Sequence, residues 1–197
     1  MPLPAQFLLS ATSPAQFPAP GPPEIAFLGR SNVGKSSLLN ALVGTPAAKV
    51  SSTPGRTRAI NFFLVSNSRP ARKMIFADLP GYGYAKISKS ISAAWPEFID
   101  PYLTSRATLA LCVCLVDANV APRPNDRQLL DWLRAAGPAF LVAATKIDRL
   151  SGNRRTQSLA TLKRDLGVDE ILPVSAKTGS GIPALWRRID EAVAKEK

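Results

Sequence analysis

The stretch Gly29 to Ser36, G-R-S-N-V-G-K-S, fills the template G-x-x-x-x-G-K-S/T with every position in register. It limits the fold more than any other part of the chain, because such a loop serves its purpose only between a strand and a helix N-terminus. Both flanks fit. Glu24-Ile25-Ala26-Phe27-Leu28 is a short apolar run of strand type, and Leu38, Leu39 and Leu42 recur at helical spacing after the loop. Backbone N–H groups of such a loop wrap phosphates, Lys35 sets a point charge against the outer phosphates, and the Ser36 hydroxyl is a candidate magnesium ligand. The candidate phosphate-binding residues are Gly29, Arg30, Ser31, Asn32, Val33, Gly34, Lys35, Ser36 and Ser37.

From Glu24 onward, strand-like and helix-like runs alternate. Strands are expected near 24–28, 60–65, 73–78, 109–116, 139–144 and 170–174. Helices are expected at 35–43, at about 88–106 with a break at Pro96 or Pro101, and at 124–136, 154–166 and 182–195. Only the loop 66–72 is too short for a helix, so the second and third strands should form the one antiparallel hairpin. The pattern predicts an α/β fold, a six-stranded, mostly parallel sheet with helices on both faces. Residues 1–23 differ: they hold 7 of the 18 prolines and no charge, which predicts a proline-rich mobile tail ahead of one domain at 24–197. That tail has neither the charged start of a secretory signal nor the arginines of a transit peptide, so no export is implied.

Composition removes several chemistries. The chain has no histidine, which excludes an imidazole base and most zinc sites. Cys112 and Cys114 alternate within the apolar run 109–116, where they share one strand face as core residues, a usage that fits a reducing, cytoplasmic setting. The longest apolar run, near 107–116, ends at Asp117 and is too short to cross a membrane. A soluble monomer is expected. The formal net charge of +11 argues for a polyanionic partner without specifying a sequence.

In an open α/β sheet, ligand groups belong at the carboxyl ends of strands. Asp78-Leu79-Pro80-Gly81 follows the third predicted strand; Asp78 can hold Mg²⁺ through water and Gly81 can give its N–H to a γ-phosphate. After the fifth strand comes Thr145-Lys146-Ile147-Asp148, and after the sixth Val174-Ser175-Ala176. Together these read as a guanine pocket: the Asp148 carboxylate accepts the ring N–H and the exocyclic amine, the Lys146 stem lies over the base, and the Ala176 N–H meets the carbonyl oxygen. Adenine would leave a buried carboxylate unpaired. Between the first helix and the second strand, Ser51 to Thr57 reads as a switch loop, with Gly55, Arg56 and Thr57 as nucleotide contacts and Thr57 as a second hydroxyl on Mg²⁺. The catalytic candidates are Lys35, Thr57 and Gly81.

The order G-R-S-N-V-G-K-S, P-G-R-T, D-L-P-G, T-K-I-D, S-A-K resembles GTPases of the TRAFAC class. The string Asp78-Leu79-Pro80-Gly81-Tyr82-Gly83-Tyr84-Ala85-Lys86, with Thr53-Pro54-Gly55-Arg56-Thr57 and Ile60-Asn61-Phe62-Phe63, is similar to the bacterial EngB (YihA/YsxC) family over about residues 24 to 190. The resemblance implies a Ras-like fold, Mg²⁺-dependent GTP binding and hydrolysis with GDP as product, a role in assembly of the large ribosomal subunit, and a link to cell division and septation. Members often carry Arg-His where this chain has Asn119-Val120 after Val116-Asp117-Ala118.

Three expectations about turnover and partners follow. Many GTPases place a water-orienting glutamine where this chain has Tyr82, so intrinsic turnover should be slow and partner-stimulated. Asn32 stands where potassium-activated relatives hold the monovalent ion, which predicts stimulation by K⁺. For rRNA in the ribosomal precursor, the basic candidates are Arg69, Arg72, Lys73, Lys86, Lys89, Arg149, Arg154, Arg155, Arg187 and Arg188, making sequence-independent phosphate contacts. Tyr82, Tyr84 and Trp95 can stack on bases or pack in the core. Two other readings share some of these boxes: a division GTPase acting at the membrane without the ribosome, and a nucleotide kinase, which has no use for Thr-Lys-x-Asp.

Overall fold

Burial along the strand Glu24–Gly29 (β2) is complete at all six residues, as a central strand requires when both faces are covered. Its side chains alternate between two cores. In this computed structural model, which describes residues 4–46, 59–68, 71–82 and 97–195, Ile25 and Phe27 face one layer, while Ala26 and Leu28 face the other. The remaining strands are Ala5–Ala11 (β1), Ile60–Ser68 (β3), Ala71–Asp78 (β4), Leu109–Asp117 (β5), Phe140–Thr145 (β6) and Leu172–Pro173 (β7). They form one sheet in the order β1-β3-β4-β2-β5-β6-β7.

The helices are Lys35–Val43 (α1), Ile99–Ser105 (α2), Pro124–Ala136 (α3), Gly152–Leu166 (α4) and Ile182–Lys195 (α5). Leu38, Leu39 and Leu42 of α1 and Leu185 and Ile189 of α5 cover the Ile25/Phe27 face. Tyr102 and Leu103 of α2, Leu129 and Leu133 of α3 and Leu162 of α4 cover the other. The Trp186 indole donates to the Leu42 carbonyl at 3.3 Å and ties α5 to α1. Helix α3 starts at Pro124, where a missing N–H costs nothing, and ends at Gly137 with φ +93°. Pro101 is tolerated in the first turn of α2 for the same reason. The part of the predicted helix before residue 97 lies outside the described residues.

The expected six-stranded sheet with one antiparallel hairpin is corrected to seven strands with two antiparallel pairs, β1–β3 and β3–β4. The added strand comes from the stretch expected to be a mobile tail. Its prolines forbid a helix but not a strand, and residues 5–11 fall between Pro4 and Pro14 with no proline and no charge. Ala11 is fully buried, Ser10 Oγ donates to Asn61 Oδ1 at 2.6 Å, and Phe7 meets Phe63 edge-on at 5.7 Å. Phe17 follows, packed against Tyr102 at 5.4 Å and Phe62 at 6.1 Å. The predicted last strand shortens to two residues.

The amino end of β2 holds a buried ionic cluster. Glu24 is fully buried; it accepts hydrogen bonds from Arg106 Nε at 2.8 Å, Thr108 Oγ1 at 2.7 Å and the Tyr102 hydroxyl at 2.9 Å. Arg106 also donates to the Pro18 carbonyl at 2.7 Å, which fastens the N-terminal segment to α2 and β5. A buried carboxylate persists only when its oxygens are satisfied in this way. Burial, and then the Glu24 charge, push the Tyr102 hydroxyl well above its ordinary pKa.

Candidate functional site

The other end of β2 runs directly into the glycine loop. Gly34 takes φ +104° as the loop turns into α1, a conformation a side chain would resist. A Cβ there would also lie 3.7 Å from Lys146 Cε and 3.8 Å from Thr145 Oγ1, so the phosphate loop and the Thr-Lys-x-Asp box are in contact. Val33 is buried beneath the loop, and its carbonyl accepts from the Thr145 hydroxyl at 2.6 Å.

Lys35, in the first turn of α1, donates to Asp78 at the end of β4 and forms an ion pair with it. Both side chains are largely buried, at 11% and 8% exposure. Leu79 and Pro80 are buried beyond Asp78. Gly81 passes so close to the loop that an added Cβ would stand 3.0 Å from the Ser31 nitrogen and Oγ. The D-L-P-G box is therefore seated against the phosphate loop by a glycine. As oxygen donors, Asp78 and the Ser36 hydroxyl suit a small hard cation, and the pairing of Asp78 with an ammonium marks a spot that favours positive charge. Gly55, Arg56 and Thr57 lie outside the described residues.

The third group is built around Lys146. Apart from glycines, Asn32 (φ 64°) and Lys146 (φ 59°) are the described residues with left-handed backbone, each at a cost of order 1–3 kcal/mol. A hydrogen bond joins them: Lys146 Nζ donates to the Asn32 carbonyl at 2.7 Å and to Asp117 Oδ2 at 2.7 Å. Asp117 Oδ1 accepts from the Asn119 N–H and amide, both at 2.9 Å, and the Asn119 amide lies 3.2 Å from the Lys146 carbonyl. Burial would raise the Asp117 carboxyl, but the bonds from Lys146 and Asn119 outweigh it and leave its pKa lowered.

Asp148 accepts from the Ser175 hydroxyl at 2.6 Å, and the Thr178 N–H donates to the same hydroxyl oxygen at 3.2 Å. The Ser175 bond, aided by Lys177 and Arg149, holds the Asp148 carboxyl below its usual range, so it is ionised at neutral pH and ready to accept two donors. The Ile147 N–H meets the Val174 carbonyl at 3.5 Å, which brings the boxes after β6 and β7 side by side. Ala176 follows Ser175, half-buried.

Sequence reasoning missed Asp117 and Asp126 as site residues and noted Asn119 only as a departure from a family pattern. A signal existed for Asp117: a carboxylate closing a long apolar strand is the same feature that singled out Asp78. Asp126 gave none, because its role depends on where α3 docks. Tyr82 is resolved toward packing, with 2% of its surface exposed. Tyr84, Trp95, Arg69, Lys86 and Lys89 lie outside the described residues.

A sheet of this order, with a phosphate-loop motif at the end of its middle strand, is that of the Ras-like GTPases. The model of the family described as "50S ribosome-binding GTPase" matches residues 24–146. A solved structure titled "Crystal structure of a probable GTP-binding protein engB" superposes with a TM-score of 0.70 at 27% identity, covering 87% of this chain and 99% of that one. The structure of a tyrosine-to-alanine variant of Aquifex aeolicus Era bound to GDP·AlF4⁻ also gives 0.70 at 25% identity, over 86% of this chain and 56% of that one. "Probable GTP-binding protein EngB" of Acidobacterium capsulatum is 59% identical over 96% of this chain and 91% of its own length. The same-named protein of Koribacter versatilis is 56% identical over 97% and 95%. The chain belongs to the EngB family of GTP-binding proteins, and its activity is GTP hydrolysis.

Proposed function

We propose that this chain is a Mg²⁺-dependent GTP switch with slow intrinsic turnover that acts on the precursor of the large ribosomal subunit in the cytoplasm, with a family-level link to cell division and septation. The observation that carries the nucleotide assignment is the ionised Asp148, fixed by Ser175 within the same cluster of strand ends as the phosphate loop. Gly29 to Ser37 would wrap the phosphates of GTP or GDP, and Lys35 would leave Asp78 for the β- and γ-phosphates. Asp78 (through water), Ser36 and Thr57 would hold Mg²⁺, which supplies charge neutralisation on the transferring phosphoryl group. Lys146 would cover the base, Ala176 would cap its carbonyl, and Gly55, Arg56, Thr57, Leu79, Pro80, Gly81, Thr145, Ile147 and Val174 would complete the site.

Slow turnover is supported by Tyr82, whose hydroxyl is spent on Asp126 inside the protein and cannot orient a water. The ribosomal partner is supported by the description of the matching family and the surplus of basic residues. A further similar structure, at a TM-score of 0.70 and 26% identity, is Era in complex with MgGDPNP and a fragment of 16S ribosomal RNA, which supports a ribosomal RNA partner in general rather than the large subunit in particular. No helix among the described residues is long and apolar enough to cross a membrane.

Co-sedimentation with ribosomal subunits, in each nucleotide state and across salt, tests the partner. Binding that favours the large subunit and fades as salt rises is the expected result, and absence of binding in every nucleotide state would sink it. For the base pocket, Asp148→Asn should weaken GTP and admit xanthosine triphosphate; unchanged GTP affinity would refute the assignment. Potassium should stimulate turnover through Asn32, and equal rates in potassium and sodium would end that part of the reading.

A further inference from the structure

One carboxylate outside the nucleotide-contact set ties together three segments of the site. Asp126, in the first turn of α3, is only 3% exposed. Its Oδ1 accepts from the Tyr82 hydroxyl at 3.0 Å. Its Oδ2 accepts the Arg123 N–H at 2.8 Å and lies 3.5 Å from the Arg30 guanidinium. Arg30 belongs to the phosphate loop, Tyr82 directly follows Gly81, and Arg123 precedes α3.

Backbone contacts run parallel to this hub. Arg30 and Tyr82 pair as an isolated bridge, the Ser31 N–H reaches the Tyr82 carbonyl at 3.4 Å, and Gly81 is pressed against Ser31. The position of Gly81 relative to the loop is thus held from behind, by protein groups, before any nucleotide arrives. A group already held in its binding position does not have to be ordered by the ligand, and that saving appears as affinity.

We infer that Asp126 is a positioning residue that presets Gly81 through Tyr82 and so tunes the affinity for GTP relative to that for GDP. The inference rests on the reading of Gly81 as the γ-phosphate contact. Only a nucleotide with a third phosphate reaches Gly81, so loosening the hub penalises GTP and spares GDP. A purely structural role would weaken both alike. Arg30 serves the hub through its side chain, so the guanidinium of this loop residue faces α3.

The test uses the full chain with Mg²⁺, titrated with GDP and with a non-hydrolysable GTP analogue. Tyr82→Phe keeps the buried ring and deletes the hydroxyl bond to Asp126. It should raise Kd for the GTP analogue about fivefold, the worth of one net hydrogen bond, and leave Kd for GDP within about twofold. Asp126→Ala should do the same more strongly; it also removes a buried cap, and if that variant fails to fold, Tyr82→Phe alone decides the matter. Equal rises for both nucleotides, or no change in either, would overturn the proposal. A wild-type chain that binds neither nucleotide would overturn the site reading, and this inference with it.

Discussion

The two ends of β2 each carry a buried ion pair, and the two pairs are built differently. At the amino end, Glu24 is closed in by Arg106, Thr108 and Tyr102, with both oxygens in use and no exposed surface. At the carboxyl end, Lys35 and Asp78 hold one another across 43 residues of sequence, each keeping about a tenth of its side chain open. The first cluster answers both carboxylate oxygens from within the protein, so it fixes strands and the N-terminal segment in place. The second is made of the two residue types that a triphosphate and its metal would claim, so under the proposed function it has to open. A sheet can keep one end static so that the other can exchange partners.

The largest effect that would break this comparison is on stability. Glu24→Ala strands the Arg106 guanidinium and should cost about 3–5 kcal/mol in urea unfolding, while nucleotide affinity of the folded protein stays the same. A cost under about 1 kcal/mol would mean the cluster does not hold the amino end. Lys35→Ala should do the reverse: affinity for GTP and GDP falls by about 100-fold or more, roughly 2.7 kcal/mol, with a smaller loss of stability than Glu24→Ala. Isothermal titration of both variants decides it.

Alkali probes both ends at once. Burial pushes the Cys112 thiol up to about 12, and burial followed by the neighbouring carboxylates raises Tyr82 at one end and Tyr102 at the other. The unfolded chain gives up these protons first, so stability is intact below about pH 9 and declines as pH climbs toward 12. The limiting slope is about 1.4 kcal/mol per pH unit for each group. Unfolding midpoints between pH 8 and 11 measure it, and a flat profile would contradict the burial of these groups. The smallest effect concerns the N-terminal segment: Phe17→Leu loses two edge-on ring contacts and should cost about 1 kcal/mol with no change in nucleotide binding.

Much of the fold was legible because local signals and tertiary demands agree. Helix α1 keeps its predicted bounds because a glycine in left-handed conformation stands at each end, and α3 because Pro124 opens it and Gly137 closes it. Strand β1 was not legible: an edge strand buries few side chains, so its alternation is faint, and neighbouring prolines masked it. The boxes of the site could be placed because each follows a strand. Asp126 and Asn119 could not, since their partners Tyr82 and Lys146 are 44 and 27 residues away and only docking brings them within reach.

Strand β1 carries a consequence for how the chain is made. Its partner is β3, with Ala11 opposite Ile60 and Ala5 opposite Val65, so this strand is synthesised some fifty residues ahead of the one it pairs with. During that interval a neutral, apolar segment is exposed and unpaired, and closing so distant a contact is slow relative to local folding. The prolines before and after it limit how far it could extend into a foreign sheet, which makes them guards of the nascent chain as well as boundaries of the finished strand.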